Sequence, residues 1–290
     1  MKPSKTLTVL ACLIAVLALV AAGTGAFYQD EGPSYHFTSL RGETVAIQGH
    51  GLYRFDSVSA ASQAIAQDVV TLVVGLPLLL IALWLYRQGS LRGQLLLAGT
   101  LAYFLYTYTG LAFGVSFNPF FLVYVALFSL SLFAFISALV SVDLRSLPAH
   151  FSARLPRRAI AVFMFVCAGL LLFMWLGRLG PALLSGAAPF GLDANTTLFI
   201  QVMDLGLLVP LMVLAGVQLL KQRPLGYLLA SVALIKFVTL GTALIAMIVG
   251  ELLAGVAVSS VEAAIFVLMV GASLTMAAIL WRNVSEARLV

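Results

Sequence analysis

The sequence predicts an all-α, polytopic transmembrane helical bundle of eight helices. Of its 290 residues, 62% are hydrophobic and only 9% are charged, and the mean hydropathy is +1.09, which is typical of a chain whose solvent is mostly lipid. Its apolar runs are continuous rather than alternating, which excludes lipid-facing barrel strands. Crossing about 30 Å of hydrocarbon takes about 20 helical residues. Eight runs of this kind occur, within residues 6–27, 67–87, 93–115, 120–142, 158–180, 195–220, 225–249 and 252–281.

The basic residues predict the orientation of these helices. Lysines and arginines cluster at the chain start, in residues 87–92, 145–158 and 221–223, and at the chain end. All of these loops fall on one side if eight helices alternate, and cytoplasmic loops retain Lys and Arg. We therefore expect a cell inner (plasma) membrane protein with both termini in the cytoplasm. The net charge of +5 follows from this topology and gives no support for nucleic-acid binding.

The first two segments leave one alternative open. Residues 1–27 predict a transmembrane anchor, although their Lys-bearing start and small-residue exit also fit a cleaved signal peptide, which would leave seven helices. Residues 28–66 form an extracytoplasmic segment, in which we expect a short hairpin that turns at Gly49-His50-Gly51. Asp56 and Ser57 fit the N-cap of a helix that runs inward past Asp68.

An internal repeat emerges when the chain is shifted by 133 residues. Pro77 then falls on Pro210 and Gly93 on Gly226, with no gap. We therefore predict a first three-helix unit at 67–142 and a second at 195–290, the latter with a short cytoplasmic tail. Residues 143–194 supply a cytoplasmic loop, a linker helix and an outer loop. Both units run from outside to inside, as in the parallel repeats of some transporters.

This plan of three, one and three helices resembles that of the SWEET and PQ-loop transporters. The elements D-x-G-x-x-x-P, from Asp204 to Pro210, and R-P-x-G-Y-x-L, from Arg223, are also similar to uncharacterised bacterial multi-pass membrane proteins. The expected loop lacks a proline-glutamine motif. The resemblance therefore implies a helix plan and no substrate.

Three ionisable residues lie at nearly one depth within the predicted spans. At about 1.5 Å of rise per residue, Lys236 lies ~18 Å from the inner boundary, whereas Asp204 and Glu262 lie ~13 Å and ~16 Å from the outer one. A lone charge at that depth costs at least ~2.5–3.5 kcal/mol, so we expect the three groups to face the bundle interior and to pair.

Polar side chains share helix faces with these charges. Residues three or four apart project together, which places Gln201 with Asp204, Thr239 with Lys236 and Ser259 with Glu262. Under the repeat, Lys236 corresponds to Tyr103 and Thr239 to Tyr106. The predicted site for a solute or ion comprises Asp204, Lys236, Glu262, Gln201, Thr239, Ser259, Tyr103 and Tyr106, with Pro77 and Pro210 as candidate hinges.

Function remains open between classes at this level. A transporter or binder of a small polar or ionic solute is one interpretation, in which Asp204 or Glu262 exchanges a proton. A membrane receptor, or a closed structural network of the three charges, is the alternative. Catalytic motifs such as HExxH and GxSxG are absent from the sequence, and we expect no cofactor and no metal site. Asp68 and Arg178 are expected to snorkel to the outer interface.

Overall fold

The computed structural model describes residues 3–286, with the exception of the Glu262 side chain. The predicted fold class is confirmed, because the described chain contains eight helices long and apolar enough to cross a membrane. They are α1 (Lys5–Phe27), α2 (Val58–Arg87), α3 (Leu91–Gly114), α4 (Phe121–Val140), α5 (Arg157–Ser185), α6 (Phe199–Leu220), α7 (Pro224–Leu253) and α8 (Ser260–Arg282).

The segment between α1 and α2 contains the described β structure. Strands β1 (Tyr35–Thr38) and β2 (Thr44–Ile47) pair antiparallel, so the ladder turns at residues 39–43, where Gly42 takes a left-handed φ of 83°. The predicted turn at residues 49–51 was therefore wrong for this ladder. Those residues instead return the chain to Ser57 through one antiparallel bridge from Ile47. We call this end of the bundle the hairpin end.

Helix α2 starts nine residues before the predicted span and enters the bundle from above. Ser57 caps it, since its Oγ accepts a hydrogen bond from the backbone N–H of Ala60 at 3.1 Å. This N-cap was predicted, and it satisfies one of the N–H groups that a helix start leaves unpaired. The helix therefore carries Gln67 and Asp68 into the bundle rather than along its rim.

Two helices widen at related points. Residues Thr71–Gly75 of α2 and Asp204–Leu208 of α6 are π-helical. The second residue after each π segment is a proline, Pro77 or Pro210. A proline ring clashes with the carbonyl four residues earlier in a regular helix. A π turn displaces that carbonyl, and π turns occur frequently at functional sites.

The turns that follow these helices also match at a spacing of 133 residues. Gly89 and Gln222 have positive φ angles of 80° and 54°. Gly93 lies so close to the preceding helix that a Cβ would be 2.5 Å from the backbone nitrogen of Tyr86. Gly226 makes the same approach to the backbone at Leu219. Only glycine fits such a contact.

Helices α3 and α7 form the centre of the bundle and pack against each other. Helix α3 also packs on α2 and α4, and α7 packs on α2, α6 and α8. Helix α1 packs on both α2 and α4, which closes the first unit. Helix α5 packs on α6, but the described residues show no extended packing of α5 on α8. The second unit is therefore open between α5 and α8.

The opposite end of the bundle, which carries the basic loops, is tied together by the chain after α8. We call it the basic end. Ser285 donates its backbone N–H to the carbonyl of His150 at 2.7 Å, in the loop between α4 and α5. Glu286 accepts hydrogen bonds from the backbone N–H of Leu91 and of Arg92, each at 3.0 Å. A carboxylate there also complements the dipole of α3.

Candidate functional site

Asp204 lies at the start of the π segment of α6 and is the centre of a polar contact between three helices. Its side chain is 5% exposed. The hydroxyl of Tyr106, on α3, donates to Asp204 Oδ1 at 2.7 Å. The indole N–H of Trp175, on α5, donates to Asp204 Oδ2 at 3.0 Å. Both carboxylate oxygens are therefore satisfied, as a buried carboxylate requires.

Lys236, on α7, lies on the other side of Tyr106. Its ammonium is 3.8 Å from the centroid of the Tyr106 ring, within the range of a cation–π interaction. Its Nζ has no hydrogen-bond acceptor among the described residues, and no Asp204 oxygen lies within 4.0 Å of it. The predicted meeting of Asp204 and Lys236 therefore takes place through the tyrosine between them.

A cavity of about 1060 Å³ reaches this site from the hairpin end. It runs from residues 190–199 and 256–259, at the outer ends of α5 to α8, down to Asp204 and Cys167. Its wall is mostly apolar and rich in aromatic rings, which include Tyr106, Phe113, Phe173, Trp175, Phe190, Phe199, Phe237 and Phe266. An apolar cavity of this size with a few polar groups is typical of a small-molecule site.

The charged side chains that line this cavity are mainly acidic. Asp193, Asp204 and Glu251 contribute carboxylates, whereas Arg178 is the only basic residue among the described lining residues. Glu251 accepts hydrogen bonds from Ser59 Oγ at 2.5 Å and from Gln63 Nε2 at 2.9 Å, both on α2. Lys236 does not line the cavity. An acidic, aromatic wall favours positively charged apolar ligands.

The other predicted site residues divide into two groups. Gln201 and Ser259 line the cavity. Thr239 does not, because its hydroxyl donates to backbone carbonyls of α7, including that of Ile235 at 3.1 Å. The Glu262 side chain lies outside the described residues.

Tyr103 belongs to a separate buried network behind the cavity wall. Its hydroxyl accepts from Gln67 Nε2 at 2.7 Å and lies 2.9 Å from Thr71 Oγ1. Gln67 also donates to Thr107 Oγ1 at 3.2 Å, and both Gln67 and Thr107 line the cavity. The expected Tyr103-lined wall is therefore formed instead by Tyr106 and the partners of Tyr103.

Asp68 was missed as a buried group. The expectation that it snorkels to the interface was wrong, because its side chain is only 1% exposed. The hydroxyl of Tyr53 donates to Asp68 Oδ2 at 2.6 Å, whereas Oδ1 has no described partner. Trp175 was missed as well, since nothing in the sequence distinguishes it from an ordinary apolar residue.

The fold and this site define an integral membrane protein whose helical bundle holds a ligand-sized cavity with a carboxylate at its base. No family model, curated protein or solved structure matches the chain. The argument for function therefore depends on the site itself.

The contact through Tyr106 predicts how the two charges depend on each other. Asp204→Asn should lower the melting temperature of the purified protein, because it leaves the buried Lys236 ammonium without a counter-charge, at a cost of about 3–5 kcal/mol. Adding Lys236→Met should restore most of the loss, as measured by thermal unfolding in detergent. Tyr106→Phe serves as a control that keeps the ring. A double variant no more stable than Asp204→Asn would contradict the pairing.

Proposed function

We propose that the protein binds a small apolar cation in the cavity and carries it across the membrane. The observation that supports this most directly is the aromatic cavity of about 1060 Å³ that ends on the Asp204 carboxylate. Aromatic faces attract cations through their quadrupole, and a carboxylate at the base gives the cation a partner in a low-dielectric environment.

In this proposal, Lys236 acts as an internal counter-charge. Without a solute, Asp204 is held by Tyr106 and Trp175, and Lys236 attracts it across the Tyr106 ring. A cationic solute at the base of the cavity competes with Lys236 for the same carboxylate. Binding therefore changes the contacts of α3, α5, α6 and α7 together, which is the kind of differential contact that a conformational change requires.

The repeat supplies a route for alternating access. We propose that residues 67–142 and 195–290 are related units that move against each other, as in transporters built from parallel repeats. The matching π segments, prolines and turns at a spacing of 133 residues support this relation. The hinge role of Pro77 and Pro210 stays a prediction, as does the resemblance to the SWEET helix plan.

The same alignment explains why the cavity lies in the second unit. The positions of the buried Tyr108 and Tyr124 in the first unit correspond to Gly241 and Ala257 in the second, and both of these line the cavity. Two large rings are thus replaced by small side chains. In this arrangement the hairpin end is extracytoplasmic and the basic end is cytoplasmic.

A closed structural network is the second candidate function of the buried charges. It is favoured by one observation, namely that Lys236 lies behind Tyr106 and does not reach the cavity. In that case Asp204 and Lys236 would fix the helix register, and neutralising both would leave ligand binding intact.

Trp175 offers a direct test of binding, because its indole contacts Asp204 and lines the cavity. In a Trp84→Phe/Trp281→Phe variant, Trp175 is the only tryptophan. In nanodiscs, its fluorescence should respond saturably to tetraphenylphosphonium and not to tetraphenylborate, an anion of the same shape. Asp204→Asn should weaken the affinity about tenfold or more, equivalent to about 1.4 kcal/mol.

The control for this measurement is Glu286→Gln, whose site lies at the basic end and should not affect affinity. Glu251→Gln, near the mouth, should weaken binding less than Asp204→Asn and provides a second variant that does not disturb Lys236. Equal responses to the two ions, or an affinity unchanged in both acidic variants, would contradict the proposal.

Transport requires a separate measurement. Proteoliposomes loaded with DNA and acidic inside should take up ethidium, another aromatic cation, faster than protein-free liposomes. In Asp204→Asn the rate should fall to that of protein-free liposomes, because the cation loses its partner at the base of the cavity. Uptake by this variant at the unchanged rate would contradict transport through the site, and binding without any uptake would favour a receptor.

A further inference from the structure

The polar cluster around Asp68 is separate from the cavity and has its own composition. Asp68 projects from α2 into the first unit, where Gly25 of α1 lies against its carboxylate so closely that no Cβ would fit. Its one described hydrogen bond comes from Tyr53. Oδ1 is buried without a described partner, and so is the hydroxyl of Tyr108.

Phenols surround this carboxylate from every element that packs on it. Tyr53 comes from the chain before α2, Tyr103 and Tyr108 from α3, and Tyr124 from α4, with the Tyr124 hydroxyl 3.3 Å from that of Tyr53. Two further acids lie nearby, Asp56 beyond Tyr124 and Glu251 of α7 against Ser59 and Gln63 of α2. No described basic group lies within 4.0 Å of Asp68.

A carboxylate in such a place has no counter-charge, which distinguishes it from Asp204. An isolated ionised carboxylate is far more costly to bury than a neutral carboxyl group, so a buried acid without a cation takes up a proton. Tyr53 remains a hydrogen-bond donor to it, because burial, and then the neighbouring Asp68, raise the pKa of Tyr53 well above its ordinary value.

The same helix turn connects this cluster to the cavity. Gln67, next to Asp68 in the chain, lines the cavity and donates to both Tyr103 and Thr107. Asp68 lies just before the π segment of α2. A solute that displaces Gln67 therefore turns the part of α2 that holds Asp68 against Tyr53.

We propose that Asp68 is a proton-binding site of the first unit, which releases its proton when a cation occupies the cavity. On release, the carboxyl O–H bond breaks, the proton passes to water at the hairpin end, and Tyr53 stabilises the carboxylate. This inference rests on the proposed transport function, for which it supplies the coupling ion. Asp68, rather than Asp204, is then the residue that links uptake to the pH gradient.

Infrared spectroscopy of the full-length protein in nanodiscs tests the proton directly. At neutral pH the carbonyl stretching band of a protonated, buried carboxylic acid should be present, absent in Asp68→Asn and retained in Asp204→Asn. Tyr53→Phe should keep the band and shift its frequency, because the hydrogen bond to Oδ2 is lost, and this variant preserves the test if Asp68→Asn does not fold. A band missing from the wild type, or retained in Asp68→Asn, would overturn the proposal. Stabilisation by sodium but not by choline, together with a missing band, would assign the site to Na⁺ instead.

Proton release tests the coupling. In weakly buffered solution with a pH dye, tetraphenylphosphonium should release protons from wild-type nanodiscs but not from Asp68→Asn, while the latter still binds the probe. Binding without release in the wild type would overturn the coupling. If the probe does not bind the wild type at all, the proposed solute site fails, and the infrared band still decides whether Asp68 holds a proton.

Discussion

The cost of placing charge in hydrocarbon is the constraint on which this structure depends. Asp204 and Lys236 lie near the middle of the bundle, where an unpaired charge costs at least ~2.5–3.5 kcal/mol. Tyr106 meets both costs, since its hydroxyl donates to Asp204 and its ring faces the ammonium. One residue of α3 therefore fixes the positions of α6 and α7. Trp175 adds α5 to the same point.

Much of the fold could be predicted because each spanning helix must satisfy its own backbone in lipid. Eight apolar runs became eight helices, and Ser57 was correctly placed as a cap. The π segments were not visible, because Pro77 and Pro210 indicate a distortion but not its form. The hairpin turn was misplaced because several glycines in residues 42–51 take positive φ angles, and sequence alone does not say which one ends the ladder.

The site was predicted only in part, because depth along a helix is easier to count than rotation around it. Counting placed Asp204 and Lys236 at one level, and their proximity follows from that. Thr239 shares a face with Lys236, yet its hydroxyl bonds to its own helix. Asp68 was missed because α2 enters from above the membrane. The cavity depends on the separation of α5 from α8, which no local pattern encodes.

The central claim is that a cavity open at the hairpin end reaches the Asp204 carboxylate, and Cys167 reports on it directly. Cys167 lines the base of the cavity and is the only thiol left in a Cys12→Ala variant. A small, membrane-impermeant cationic methanethiosulfonate should label it from the hairpin side of sealed vesicles, and tetraphenylphosphonium should slow the reaction. A Cys167→Ala variant that retains Cys12 gives the background. No labelling from the hairpin side, or labelling that tetraphenylphosphonium does not slow, would contradict the account.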